Sequence, residues 1–184
     1  SFITLNLAGI IAMQQQKVVV LGLDLRKPKL FNDFGWKNDM GASNYLVGAH
    51  TLDQVIRKTE NPFLDIIISG PTPPNPAELL SKPLMGEMLA ELKKRYDFIV
   101  IDTPPIGVVS DAFILLNQSD VNLYVVRQGY SRLEFLKTLD DLYTDGKIPN
   151  ASIVLNDSDF STGSGYGHHY GYLDGNAGYY DERE

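Results

Sequence analysis

Apolar and polar positions fall along the chain in blocks whose lengths and periods separate helices from strands. Residues 2–13, FITLNLAGIIAM, are apolar on nearly every side and rich in good helix formers, which predicts a buried helix. KVVVLGLDL, residues 17–25, is a short run dominated by β-branched residues and predicts a buried strand of the kind found in parallel sheets covered on both faces. Residues 26–50 mix glycine, asparagine and aromatic positions without a sustained period, so a long loop is expected there, with a short helical piece near Ser43 to Val47. Thr51 and Gln54 have the spacing of a capping box and open a helix to about Lys58. FLDIIIS, residues 63–69, predicts the second strand.

The second half repeats the alternation. Asn75, Pro76 and Glu78 take the N-cap and first-turn places of a helix expected to reach about Tyr96, with Leu84, Met85, Met88, Leu89 and Leu92 on one face. DFIVIDT, residues 97–103, is the third strand, and Ser110 caps a helix to about Gln118. VNLYVV, residues 121–126, is the fourth strand. SRLE, residues 131–134, is a second capping-box pattern, opening a helix that stops near Gly146, and ASIVLN, residues 151–156, is the fifth strand. Strands separated by helices of this length require crossovers, which are right-handed and generate a parallel sheet, so the fold class is α/β, doubly wound, with helices on both faces. Residues 1–160 form the expected domain and residues 161–184 a flexible, tyrosine-rich tail.

Composition narrows the function. With 184 residues, 43% hydrophobic and 21% charged, the chain suits one globular domain with a sizeable core. It has no cysteine, which removes disulfides, thiolate metal sites and thiol nucleophiles. The net charge of −7 and the lack of a basic stripe argue against a nucleic-acid surface. No apolar run approaches the roughly 20 residues that span a bilayer, and the opening residues lack the pattern of a signal peptide.

Ligands of open parallel sheets bind beyond the carboxyl ends of the strands, so the residues that follow each strand carry the candidate chemistry. Asp102 ends an apolar strand and precedes Thr103, Pro104 and Pro105. Such a carboxylate either caps a turn or faces the crevice and holds magnesium, and Ser110 with Asp111 downstream favours a nucleotide site. Asp24 ends the first strand beside Arg26: it is either half of a surface ion pair or a second carboxylate at the same crevice. Arg127, Asn156 and Asp157 follow the fourth and fifth strands, where a nucleotide base could be read or where ordinary loop polar residues stand. His168 and His169 have neither helical spacing nor partner ligands for a metal. Trp36 and Tyr45 are expected to pack the long loop. The tail holds Tyr166, Tyr170, Tyr172, Tyr179 and Tyr180, half of the ten tyrosines, among six glycines.

Taken together, VVVLGLDLRKP, SGPTPPNPAELL, DFIVIDTPPIGVVSDA, VVRQGYSRLE, VLND and the terminal tyrosine cluster resemble the cytoplasmic kinase domain of bacterial tyrosine autokinases of capsular and exopolysaccharide export systems. The resemblance runs from Ser1 through the tail. It implies ATP and Mg2+ as cofactors. FIVIDTPP matches the Walker B strand and VVVLGLDLR the Walker A′ strand, which gives Asp102 the metal and Asp24 a place at the metal or the incoming hydroxyl. Ser1 aligns with the final Ser/Thr of the Walker A loop, another metal ligand, and the tail tyrosines become phosphoacceptors served in trans. Arg127 and Asn156 would lie at the nucleotide. Implied partners are other copies of the chain, a membrane adaptor region and a tyrosine phosphatase, at the inner face of the bacterial inner membrane.

Two departures from the family pattern matter. Gly22 replaces the first Asp of the Walker A′ D-x-D, so a role for that carboxylate does not carry over. The glycines and lysine of G-x-x-G-x-G-K-[ST] and the strand before them align upstream of Ser1, which leaves neighbouring strands with unpaired edges and makes the 184-residue chain itself a poor kinase with little ATP binding. The rival expectations are a non-catalytic interaction module and a partition-type P-loop ATPase.

Overall fold

A computed structural model of the chain describes residues 1–105 and 111–158. The helix over residues 2–13 forms as expected: α1 spans Phe2–Met13. It is not buried all round, however. Ala8 and Ala12 are enclosed, while Phe2, Ile10 and Met13 are exposed, because only one side of α1 lies on the sheet. Strand β1 (Val18–Gly22) is buried at every position and sits in the middle of a four-stranded sheet.

Its neighbours are β3 (Leu64–Ile67) and β4 (Phe98–Asp102), both parallel to it, and β2 (Arg57–Lys58) adds an antiparallel edge beside β3, giving the order β2-β3-β1-β4. Strands β5 (Asn122–Arg127) and β6 (Ala151–Asn156) pair in parallel as a separate two-stranded sheet. Among the described residues no ladder joins β4 to β5.

The two-residue period of a strand sends alternate side chains to opposite faces. Val18 and Val20 of β1, with Ile66 and Ile68, meet α1, Leu30 and the Phe34–Trp36 stack on one face. Val19, Leu21 and Leu23 meet α2 (Ala42–Leu46), α3 (Leu52–Val55), α4 (Pro76–Leu80) and α5 (Pro83–Arg95) on the other. The sheet is thus covered on both sides, as a doubly wound fold requires. Trp36 and Tyr45 pack against these clusters, as the loop reading predicted. A third cluster, Leu116, Leu139 and Ile148, ties α6 (Asp111–Leu116) and α7 (Leu133–Thr144) to the small sheet.

Several local expectations are corrected. The helix expected from Pro76 to about Tyr96 is two helices, because Pro83 cannot donate to the carbonyl one turn back and forces Lys82 into extended backbone (φ −69°, ψ 151°). The helix opened by Thr51 stops at Val55, and Arg57–Lys58 joins the sheet instead. A 3-10 turn, Leu30–Phe34, interrupts the long loop. The SRLE capping box does not form: Arg132 is the N-cap of α7, and the Ser131 hydroxyl accepts from the Arg127 backbone N–H at 3.0 Å. Ser110, His168, His169 and the five tail tyrosines lie outside the described residues. Among those described, no helix is long and apolar enough to cross a membrane.

Candidate nucleotide and metal site

Three side chains from two elements converge at the carboxyl end of β4. Phe98, Val100 and Asp102 share one face of that strand, and Val100 packs in the cluster beneath α1. Asp102 therefore projects toward the helix, at the end where its first turn begins. Ser1 is the N-cap of α1, and its carbonyl accepts the first helical bond from Leu5 N–H at 2.9 Å. An N-cap serine ordinarily turns its hydroxyl onto the N–H groups of the first turn. Here it makes no such bond, and Ser1 Oγ donates to Asp102 Oδ2 at 2.7 Å.

One turn along, Thr4 Oγ1 donates to the other carboxylate oxygen, Oδ1, at 2.9 Å, and the Ser1 backbone nitrogen lies 3.0 Å from that oxygen. Both oxygens of Asp102 are thus held from the amino end of a helix, where unpaired N–H groups and the helix dipole favour negative charge. The Asp102 side chain is only 13% exposed. The sequence reading brought Ser1 and Asp102 together and missed Thr4. The available signal was its spacing of three residues from Ser1, which puts both hydroxyls on one helix face.

Gly22 is the register partner of Asp102 across the β1–β4 ladder, and Leu23 N–H continues the pairing by donating to Asp102 C=O at 2.8 Å. Asp24 stands just beyond, at the end of β1. Its Oδ1 accepts from the backbone N–H of Arg26 at 3.2 Å and of Lys27 at 3.0 Å, so this carboxylate closes an Asx-type turn at the adjacent strand end. Arg127 and Asn156 are also register partners, at the ends of β5 and β6. The Arg127 guanidinium is taken up by Asp157 (Nε to Oδ2, 2.8 Å) and by the Tyr130 ring at 5.6 Å.

The donor set at Asp102 consists of hard oxygens, a carboxylate and two hydroxyls, which suits Mg2+ rather than a softer metal. Among the described residues there is no group of three or more His, Cys, Asp or Glu able to hold a metal alone. A cation here would need oxygens from a ligand or water, as magnesium–nucleotide sites do. A separate cleft of about 460 Å³, lined in part by Lys17, Lys58, Asp65, Arg95 and Tyr96, lies at the amino ends of the strands, away from Asp102.

Residues 2–143 match the family described as an AAA domain. The tyrosine-protein kinase YwqD of Bacillus subtilis is 36% identical over 164 residues, which covers 89% of this chain and 69% of the relative. The tyrosine-protein kinase wzc of Salmonella typhimurium is 33% identical over 174 residues, 95% of this chain, but the chain spans only 24% of that relative's length. Among solved structures, the VpsO kinase domain superimposes with a TM-score of 0.77 at 35% identity, covering 85% of this chain and 77% of that one.

Proposed function

This chain belongs to the bacterial tyrosine-protein kinases, within the AAA-domain family matched by residues 2–143, and on that premise we propose that the intact protein is an ATP-dependent tyrosine autokinase controlling capsular or exopolysaccharide synthesis and export. The observation that carries this reading is the junction of Ser1 and Asp102 at the amino end of α1, at the carboxyl edge of a parallel sheet. Ser1 and Asp102 would hold Mg2+, with Asp24 at the adjacent strand end beside the metal or the incoming phenol. When bound, the ion supplies charge stabilisation at the transferring phosphoryl group.

In the reaction a tyrosine phenol oxygen bonds to the γ-phosphorus of ATP as the bond to the ADP oxygen breaks, and the phenol proton passes to solvent. Tyr166, Tyr170, Tyr172, Tyr179 and Tyr180 are the proposed acceptors, in a glycine-rich segment, residues 161–184, distinct from the catalytic domain of residues 1–160. Serving them in trans from a neighbouring copy would require self-association. Each phosphate adds roughly −1.5 to −2 charges to an already acidic segment and favours its release. Arg127 and Asn156, at the ends of β5 and β6, are proposed to face the nucleotide. A membrane adaptor region and a tyrosine phosphatase are the other proposed partners, at the inner face of the inner membrane.

The test is to incubate the intact protein with ATP and Mg2+ and map phosphate by intact mass and peptide analysis. Phosphate on the tyrosines between Tyr166 and Tyr180, lost without Mg2+, is the expected result. An unmodified tail overturns the proposal.

A further inference from the structure

We propose that Thr4 is a positioning residue for Asp102, a second clamp that fixes the carboxylate for a divalent cation. The inference rests on the reading of Asp102 as a metal-binding group. Ser1 meets both carboxylate oxygens, Oδ2 through its hydroxyl at 2.7 Å and Oδ1 through its nitrogen at 3.0 Å. Thr4 adds a side-chain donor to Oδ1 at 2.9 Å from the same helix face, so turning the carboxylate breaks a hydroxyl bond at one oxygen or the other. Oδ2, with a single donor, keeps a further lone pair for a cation or for one of its waters, whereas Oδ1 already faces both Thr4 and the Ser1 nitrogen. A helical threonine hydroxyl commonly bonds back to a carbonyl of the preceding turn. Thr4 is directed across to β4 instead, and its partner is the group that the strand presents at its end.

Small octahedral cations tolerate little misplacement of their ligands, and groups that orient a ligand are often worth as much as the ligand's own neighbours in the coordination shell. A merely structural tie between α1 and β4 would be expected to matter for folding and not for the cation. The two roles separate when binding is measured on folded protein.

The experiment titrates the 184-residue chain with Mn2+ alone, reading free Mn2+ by electron paramagnetic resonance, for the unchanged chain and for Asp102→Asn, Thr4→Val and Thr4→Ser. One site that disappears in Asp102→Asn, weakens roughly tenfold in Thr4→Val and returns in Thr4→Ser is the expected pattern. Thr4→Ala carries the same expectation should the valine variant not fold. Thr4→Val binding as tightly as the unchanged chain overturns the role of Thr4 alone. No Mn2+ binding by the unchanged chain overturns the metal reading beneath it.

Discussion

Gly22 and Asp102 are direct partners across the parallel β1–β4 ladder, and both belong to the face of the sheet on which α1 lies. A side chain at position 22 would therefore emerge beside the Asp102 carboxylate. It would also meet filled space: a Cβ there lies 3.2 Å from Leu30 Cδ2, 3.2 Å from Ser69 Oγ and 3.3 Å from Ser69 N. Restoring the carboxylate typical of this motif is thus opposed by packing and by like charge. Gly22→Asp is expected to destabilise the chain by about 1–3 kcal/mol in urea without divalent ions. Mg2+ should recover part of the loss by offsetting the repulsion between the two carboxylates, and a variant as stable as the parent in EDTA would contradict the argument.

Asp102→Asn separates fold from chemistry. The amide keeps the shape of the carboxylate and one oxygen acceptor, and a hydroxyl can turn to accept from the new NH2 group. The thermal midpoint should stay within a few degrees of the parent, while tyrosine phosphorylation by the intact protein falls roughly 10²-fold or more. Quantitative phosphopeptide analysis beside a melting curve checks both halves, and full activity in this variant would remove Asp102 from the metal site.

Local patterns made much of this fold legible. Residues 2–13 and 151–156 form the helix and strand that their apolar blocks predict, and Asp102 stands at the end of an apolar strand, on the ligand side of an open sheet. Where the reading failed, a competing partner decided. Ser131 has the sequence of a capping serine, but the Arg127 N–H at the end of β5 takes its hydroxyl, a contact between elements that a four-residue motif does not encode. Arg57 and Lys58 lack strand periodicity and become β2 because β3 offers a free edge. Pro83 carries the signal for the break between α4 and α5, which the apolar face running on from Leu84 masks. For Thr4 the sequence holds only its three-residue spacing from Ser1, since its partner is 98 residues away.

Arg57 staples the loop between β1 and α2. Its Nη2 donates to Asp39 Oδ1 at 2.9 Å, Met40 C=O at 3.0 Å and Lys37 C=O at 3.2 Å, while its guanidinium lies 5.3 Å from the centre of the Trp36 ring. Lysine cannot reproduce a planar fork and a stacked face together. Arg57→Ala and Arg57→Lys should each cost about 1–3 kcal/mol. The chain has one tryptophan, so its fluorescence reports the loop directly: emission should shift to the red and acrylamide quenching increase. Unchanged quenching in Arg57→Ala would show that the loop does not depend on this staple.

Alkaline pH should weaken the opposite end of the sheet. Tyr96 O–H donates to Asp65 Oδ2 at 2.6 Å, and Lys58 Nζ lies 2.6 Å from the same oxygen. Burial and the bond to the Asp65 carboxylate both oppose a phenolate, so the Tyr96 pKa is held well above its ordinary value of 10.0. Since the folded chain binds this proton more tightly than the unfolded chain, the associated stability is intact below pH 10.0 and is lost as pH rises toward the folded-state pKa. Tyr96→Phe removes the hydrogen bond, costing about 1–2 kcal/mol at neutral pH. It also removes the titrating group, so urea midpoints of parent and variant should converge above pH 10.0. Parallel curves across that range would mean that Tyr96 does not keep its proton for Asp65.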